Sequence, residues 1–148
     1  MKVLVAYDGT LQAKEALRYG SQKVKENGGE LVALHVFNSG LFIDYDAHPG
    51  AVEMARRDSL RFVEEAKRLI AENGVLDYAR VVSEEGVPSE EIMRYATEKN
   101  VDILLCPPRY KSVIKSFRRV LDEKGRKAYE DTILDEAERP KLAVVSRI

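Results

Sequence analysis

Cysteine is all but missing. Cys106 is the single thiol in 148 residues, so no intramolecular disulfide can staple the fold. Long apolar runs are missing too: none approaches the roughly 18 residues that span a bilayer, which excludes a membrane-embedded helix. The opening MKVLVAYDG has no apolar stretch ending in a cleavage site, so the expected location is the cytoplasm. Charge of one sign is also lacking. The 24 basic and 25 acidic residues leave a net of −1, which argues against general nucleic-acid binding, since that needs a broad positive field. Amides are sparse, with two Gln and four Asn beside 33% charged residues, a balance that leans toward thermophile composition. Glycine is scarce where it would matter most. After the apolar run VDILL the chain reads CPPRYKSVIKSFRRVL, with two prolines and a row of cations where an α/β nucleotide-binding protein usually carries glycines.

What is present fits one domain over residues 1–148, since a chain of this length buries roughly 68–70% of its unfolded surface. KVLVAY is a short β-branched apolar run of the kind covered on both faces, cut off by Asp8-Gly9-Thr10. Thr10 can cap a helix whose stripe is Ala13, Ala16, Leu17, Gly20 and Val24, and Gly28-Gly29 stop it. ELVALHVF is a second strand. A Gly, Asp and Pro loop from Asn38 to Pro49 precedes a helix bearing Ala55, Phe62, Val63, Ala66, Leu69 and Ile70, which ends at Asn73-Gly74. YARVVSE gives a third strand, and Ser89 with Glu90 and Glu91 favours a helix start by capping and by the dipole. DILLC is strand four. Val113, Ile114, Phe117, Val120 and Leu121 then keep a helical period, and a further helix is expected through Tyr129, Ile133, Leu134 and Ala137 up to Pro140. LAVV is the last strand. Strands alternating with helices predict a doubly wound α/β domain with a parallel sheet, helices on both faces, and ligands at the carboxyl ends of the strands.

The order of these elements, with VLVAYDGT leading into a helix, LVALHV, VDILLCP and RPKLAVV, resembles the universal stress protein family over nearly the whole chain. The resemblance implies a five-stranded parallel sheet of the adenine nucleotide alpha hydrolase type, a homodimer and a regulatory role in stress response. Many such proteins bind ATP through G-x2-G-x9-G-[ST] after strand four. Laid on this chain, the four motif positions are Pro107, Tyr110, Val120 and Leu121, and none matches. Proline lacks both the N–H and the positive φ that a phosphate cradle uses, and Gly125 is the only glycine after Cys106. The adenine and ribose side is better kept, and the resemblance places its contacts at Ala6, Asp8 and Val36. Asp8 can equally be a turn former bonded to the amides of Thr10 or Leu11.

The stretch from Arg109 to Lys127 holds eight basic and two acidic residues, a local net of +6. Arg109 and Lys111, with Lys115 behind them, could hold a phosphate that no glycine loop cradles, or the stretch could be a solvated helix face with Arg118–Asp122 and Arg119–Glu123 pairs. Without stacking aromatics it does not read as a nucleic-acid site. Cys106 borders the same pocket. Cationic neighbours could lower its pKa, or it could be a small buried hydrophobe. Asp44, Asp46 and His48 match no metal motif and read as a polar loop. His35 reads as a hydrogen-bonded core residue because no serine or cysteine nucleophile motif accompanies it. No catalytic constellation is visible, and no metal is expected.

The final strand, with Leu142, Ala143, Val144 and Val145, is expected at the sheet edge, pairing with a second copy. Two functional expectations follow. The first is a binding or regulatory module without the usual ATP loop, acting through an unknown protein partner. The second is an adenine-nucleotide switch in which Arg109 and Lys111 replace the glycines and ATP remains a possible ligand.

Overall fold

A computed structural model describes residues 1–39, 49–125, 128–134 and 140–146. The chain runs β1 (Lys2–Ala6), α1 (Leu11–Asn27), β2 (Glu30–Phe37), α2 (Pro49–Glu72), β3 (Ala79–Glu85), α3 (Pro88–Glu98), β4 (Ile103–Cys106), α4 (Lys111–Glu123), β5 (Tyr129–Leu134) and β6 (Pro140–Ser146). The sheet order is β3-β2-β1-β4-β6-β5. β1 pairs in parallel with β2 and β4, and β2 with β3, as the alternating pattern requires.

Alternation along the central strands sends side chains to two cores. Leu4, Ala6, Val32, Leu34 and Leu104 meet Ile92, Tyr95 and Ala96 of α3 and Val113, Ile114, Phe117 and Leu121 of α4. Val3, Val5, Leu31, Ala33 and Leu105 meet Ala13, Ala16, Leu17 and Val24 of α1 with Ala66 and Ile70 of α2. Each fully buried leucine here stabilises the fold by about 1.5–3 kcal/mol relative to exposure. The helix on helix and sheet contacts confirm the α/β class with helices on both faces. No helix among the described residues is long and apolar enough to cross a membrane.

Local starts and stops follow the chemistry of the sequence in most places. Thr10 Oγ1 accepts from the Ala13 amide at 3.1 Å, and the Gly28 amide closes α1 on Val24 O. At α3 the expectation shifts by two residues: Val87 is the cap and Pro88 opens the helix, so Ser89 lies inside the first turn without capping it.

The C-terminal part differs more. Residues Tyr129–Leu134 form a strand, not the expected helix, and pair antiparallel with β6. β6 in turn runs antiparallel to β4, with Cys106 opposite Ala143 and Leu104 opposite Val145. Among the described residues the sheet therefore has six strands and is mixed, where five parallel strands were expected. Leu142, Ala143, Val144 and Val145 do not form an edge, because β4 and β5 occupy both sides of β6, and among the described residues the edges of the sheet are β3 and β5.

Candidate functional site

The carboxyl ends of β1, β2 and β4 open onto a cavity of about 680 Å³. Ala6, Leu34, Val36 and Ile92 give it an apolar floor, and Asp8, His35, Ser59 and Arg109 bring polar groups to its wall. That position is where a doubly wound sheet leaves space, between helices that depart to opposite faces.

Asp8 is the most constrained of these groups. Its Oδ1 accepts from the Thr10 amide at 3.1 Å and from the Thr10 hydroxyl at 2.6 Å, which is the turn-forming role read from the sequence. Its Oδ2 is shielded from solvent and lies 2.6 Å from Arg109 Nη2. The charges are paired, but no N–H is aligned on Oδ2. The same Nη2 donates instead to Tyr110 Oη at 2.6 Å, and the guanidinium stacks 4.7 Å from the Tyr110 ring centroid. Asp8 Oδ2 thus has a cation beside it and an unused acceptor lone pair. The Asp8 side chain is 12% exposed and that of Arg109 59%, so the pair sits at the mouth and its direct contribution to stability is small.

Arg109 reaches this position because Pro107 and Pro108 lead into a single 3-10 turn, Pro108–Tyr110, and α4 begins at Lys111. The chain therefore passes from β4 into a helix with no glycine loop between them. Neither proline offers an amide to an anion. Val120 and Leu121, at two of the motif positions, belong to α4, and Leu121 is buried. Of the residues expected around a ligand, Ala6, Asp8, Val36 and Arg109 line the cavity, whereas Cys106 and Lys111 do not. Lys111 is exposed on the first turn of α4, and Arg118 approaches Asp122 at 4.0 Å along its solvated face. The loop of Asp44, Asp46 and His48 lies outside the described residues.

Cys106 resolves as the small buried residue. Burial, with the Asp8 charge adding to it, pushes its thiol up to about 12, the opposite of an activated thiolate. Its Sγ lies 3.8 Å from Tyr110 O, within the core on the α3 and α4 side of the sheet. Burial also raises the Tyr110 phenol against the lowering pull of Arg109, and raises the Tyr7 phenol, which hydrogen-bonds Glu65. For Cys106, the folded value above the ordinary value of 9.0 means a contribution that is whole below pH 9 and lost as pH rises toward 12. In urea unfolding, Cys106 should therefore contribute a fall of roughly 1 kcal/mol in unfolding free energy from pH 9 to 10. Cys106→Ala should remove that part of the slope and leave the part that comes from the raised Tyr7 and Tyr110 phenols. A disulfide reagent at pH 8 should label the thiol only after denaturation.

His35 has a neighbour that sequence spacing did not reveal. Its Nδ1 lies 3.0 Å from Tyr7 O, its Nε2 lies 2.6 Å from Ser59 Oγ, and Phe62 packs at a tilt with ring centroids 5.5 Å apart. Ser59 sits in the middle of α2, 24 residues from His35, and only the docking of α2 on β2 brings them together. Residue periodicity could have placed Ser59 on the inner face of α2, but nothing in the sequence paired it with His35.

The match to known proteins fits this geometry. The model of the universal stress protein family matches residues 1–121, ending within α4. The universal stress protein YxiE of Bacillus subtilis is 30% identical over 127 residues, covering 78% of this chain and 84% of that protein. Two solved structures share the fold at lower identity. A universal stress protein in complex with cAMP gives a TM-score of 0.54 at 16% identity, over 70% of this chain and 73% of that one. A universal stress protein from Archaeoglobus fulgidus in complex with dAMP gives 0.53 at 19%, over 79% and 88%.

Proposed function

Because this chain belongs to the universal stress protein family, we propose that it is a regulatory module whose cavity takes a nucleoside monophosphate in preference to a nucleoside triphosphate. The observation that carries this reading is the Asp8–Arg109 pair across the cavity mouth. A ribose hydroxyl can donate to Asp8 Oδ2, the acceptor left without a donor. A single phosphate can take Arg109 as a two-pronged donor. A ligand carrying both groups replaces the existing pair at both ends. A simple anion would draw Arg109 away and leave a shielded carboxylate uncompensated, which is unfavourable. Further phosphates would find Pro107, Pro108 and the body of α4 in place of a cradle of amides. Two fold relatives were solved with monophosphates, cAMP and dAMP, which supports the size of the ligand.

The test is titration calorimetry of the nucleotide-free protein with AMP and with ATP plus Mg²⁺. AMP should bind more tightly than ATP, and Arg109→Ala should weaken AMP about 10- to 100-fold, the range for loss of a charge-assisted hydrogen bond. Tighter binding of ATP, or AMP binding indifferent to Arg109→Ala, would overturn the reading. A second reading, a module that acts through a protein partner and holds no nucleotide, draws on the fact that Arg109 is already engaged by Asp8 and Tyr110. No heat with either nucleotide supports it. A homodimer in the cytoplasm belongs to both readings, with β3 and β5 as the edge strands among the described residues.

A further inference from the structure

We infer that Ser59 and His35 form a nucleophile and general-base pair that cleaves small activated carboxylic esters entering the cavity. The hydrogen bonds of the imidazole fix its tautomer. Tyr7 O can only accept, so Nδ1 carries the proton and Nε2 presents its lone pair to Ser59 Oγ at 2.6 Å. The serine proton therefore already points at its acceptor, which is the arrangement that activates a hydroxyl.

A hydroxyl within a helix usually has an easier partner, the carbonyl four residues back. Ser21 bonds Leu17 O at 2.7 Å and Thr97 bonds Met93 O at 2.9 Å in this way. Ser59 turns to the imidazole instead. Both partners are buried from the outer surface, with Ser59 9% and His35 6% exposed, yet both belong to the cavity wall. Phe62 covers one side of the ring and limits water at the base.

The step balances with these groups and water alone. Ser59 Oγ bonds to the acyl carbon while its proton moves to Nε2, and the ester C–O bond breaks. The departing oxygen either takes that proton or leaves as an anion while Nε2 gives the proton up to bulk water, so that the imidazole is neutral again. Water then attacks acyl-Ser59, giving a proton to Nε2 that passes on to Ser59 Oγ as the free acid departs. Behind the imidazole stands a backbone carbonyl, not a carboxylate, so the imidazolium is held less firmly than in a full triad. That restricts the pair to esters with good leaving groups and makes turnover slow.

The probe is 4-nitrophenyl acetate with the full chain, followed by release of nitrophenolate and by peptide mass mapping. One acetyl group should appear on Ser59 with a matching burst. Ser59→Ala should remove both, Ser59→Cys should restore acylation, and His35→Gln should slow it about a hundredfold, the scale of general-base catalysis. Acetyl groups on lysines with none on Ser59, or a burst unchanged in Ser59→Ala, would overturn the inference. The mapping of the unaltered protein decides the matter even if a variant fails to fold.

Discussion

Phe117→Ala should lower the unfolding free energy by about 3–5 kcal/mol, the cost of emptying an aromatic site in a packed core. Phe117 is 2% exposed and joins Ile114 and Leu121 in the face of α4 that closes over Leu104 and Ala143. Set against a total stability of about 5–15 kcal/mol, such a loss is a large fraction of what holds the domain together. It should appear as a fall in the urea midpoint with an unchanged slope. A loss under about 1 kcal/mol would mean that the site collapses without leaving a void, contrary to the close packing described here. Because α4 also fixes the turn that carries Arg109, the same variant should weaken AMP binding without any contact to the ligand.

Gly9→Ala should cost roughly 2–5 kcal/mol, by two separable routes. Gly9 has φ +81°, a left-handed conformation that strains any residue with a Cβ by about 1–3 kcal/mol. A Cβ there would also run into Cε1 of Phe62, so the ring must move. Thermal unfolding of Gly9→Ala, Phe62→Leu and the double variant separates these routes. The smaller side chain at 62 should recover the crowding part and leave the backbone part. If the two substitutions were simply additive, the crowding between Gly9 and Phe62 would carry no energy.

Much of the architecture was legible because its residues serve one purpose at a time. KVLVA and ILLC are apolar on both faces and lie side by side as parallel strands in the middle of the sheet, as such runs require, although ILLC has an antiparallel neighbour, β6, on its other side. Thr10 and Gly28 had the right chemistry for the ends of α1, and they are those ends. The failure at β5 has a physical cause. Tyr129, Ile133 and Leu134 fit a helical spacing, while Glu130 and Asp131 break the apolar continuity that marked the other strands. The backbone pairing with β6 overrides that local pattern, and no property of residues 129–134 alone announces it. Once β5 takes the outer position, β6 can no longer be the edge.

The site divided in the same way. Ala6, Asp8 and Val36 were placed by the family resemblance and Arg109 by its position just past strand four, and the topology brings all four to the lining of one cavity. Cys106 was read two ways, and its complete burial, outside the lining of the cavity, fits the small buried hydrophobe. Ser59 was missed because its importance lies in a tertiary contact between α2 and β2, across a loop whose length says nothing about register. The reason for setting His35 aside, the want of a partnering nucleophile, therefore disappears once the helix is docked.

The insertion of β6 between β4 and β5 bears on the order of events during synthesis. β4 has one neighbour, β1, until residues 143–146 arrive about forty positions later. A nascent chain that has completed α4 therefore carries an open strand margin in the middle of its future sheet. The β5–β6 ribbon is local and can form first as a unit, then dock as the closing act, a long-range step that comes slowly. Chains halted before residue 140 should be those that clump or recruit a chaperone, with the exposed flank of β4 as the sticky surface.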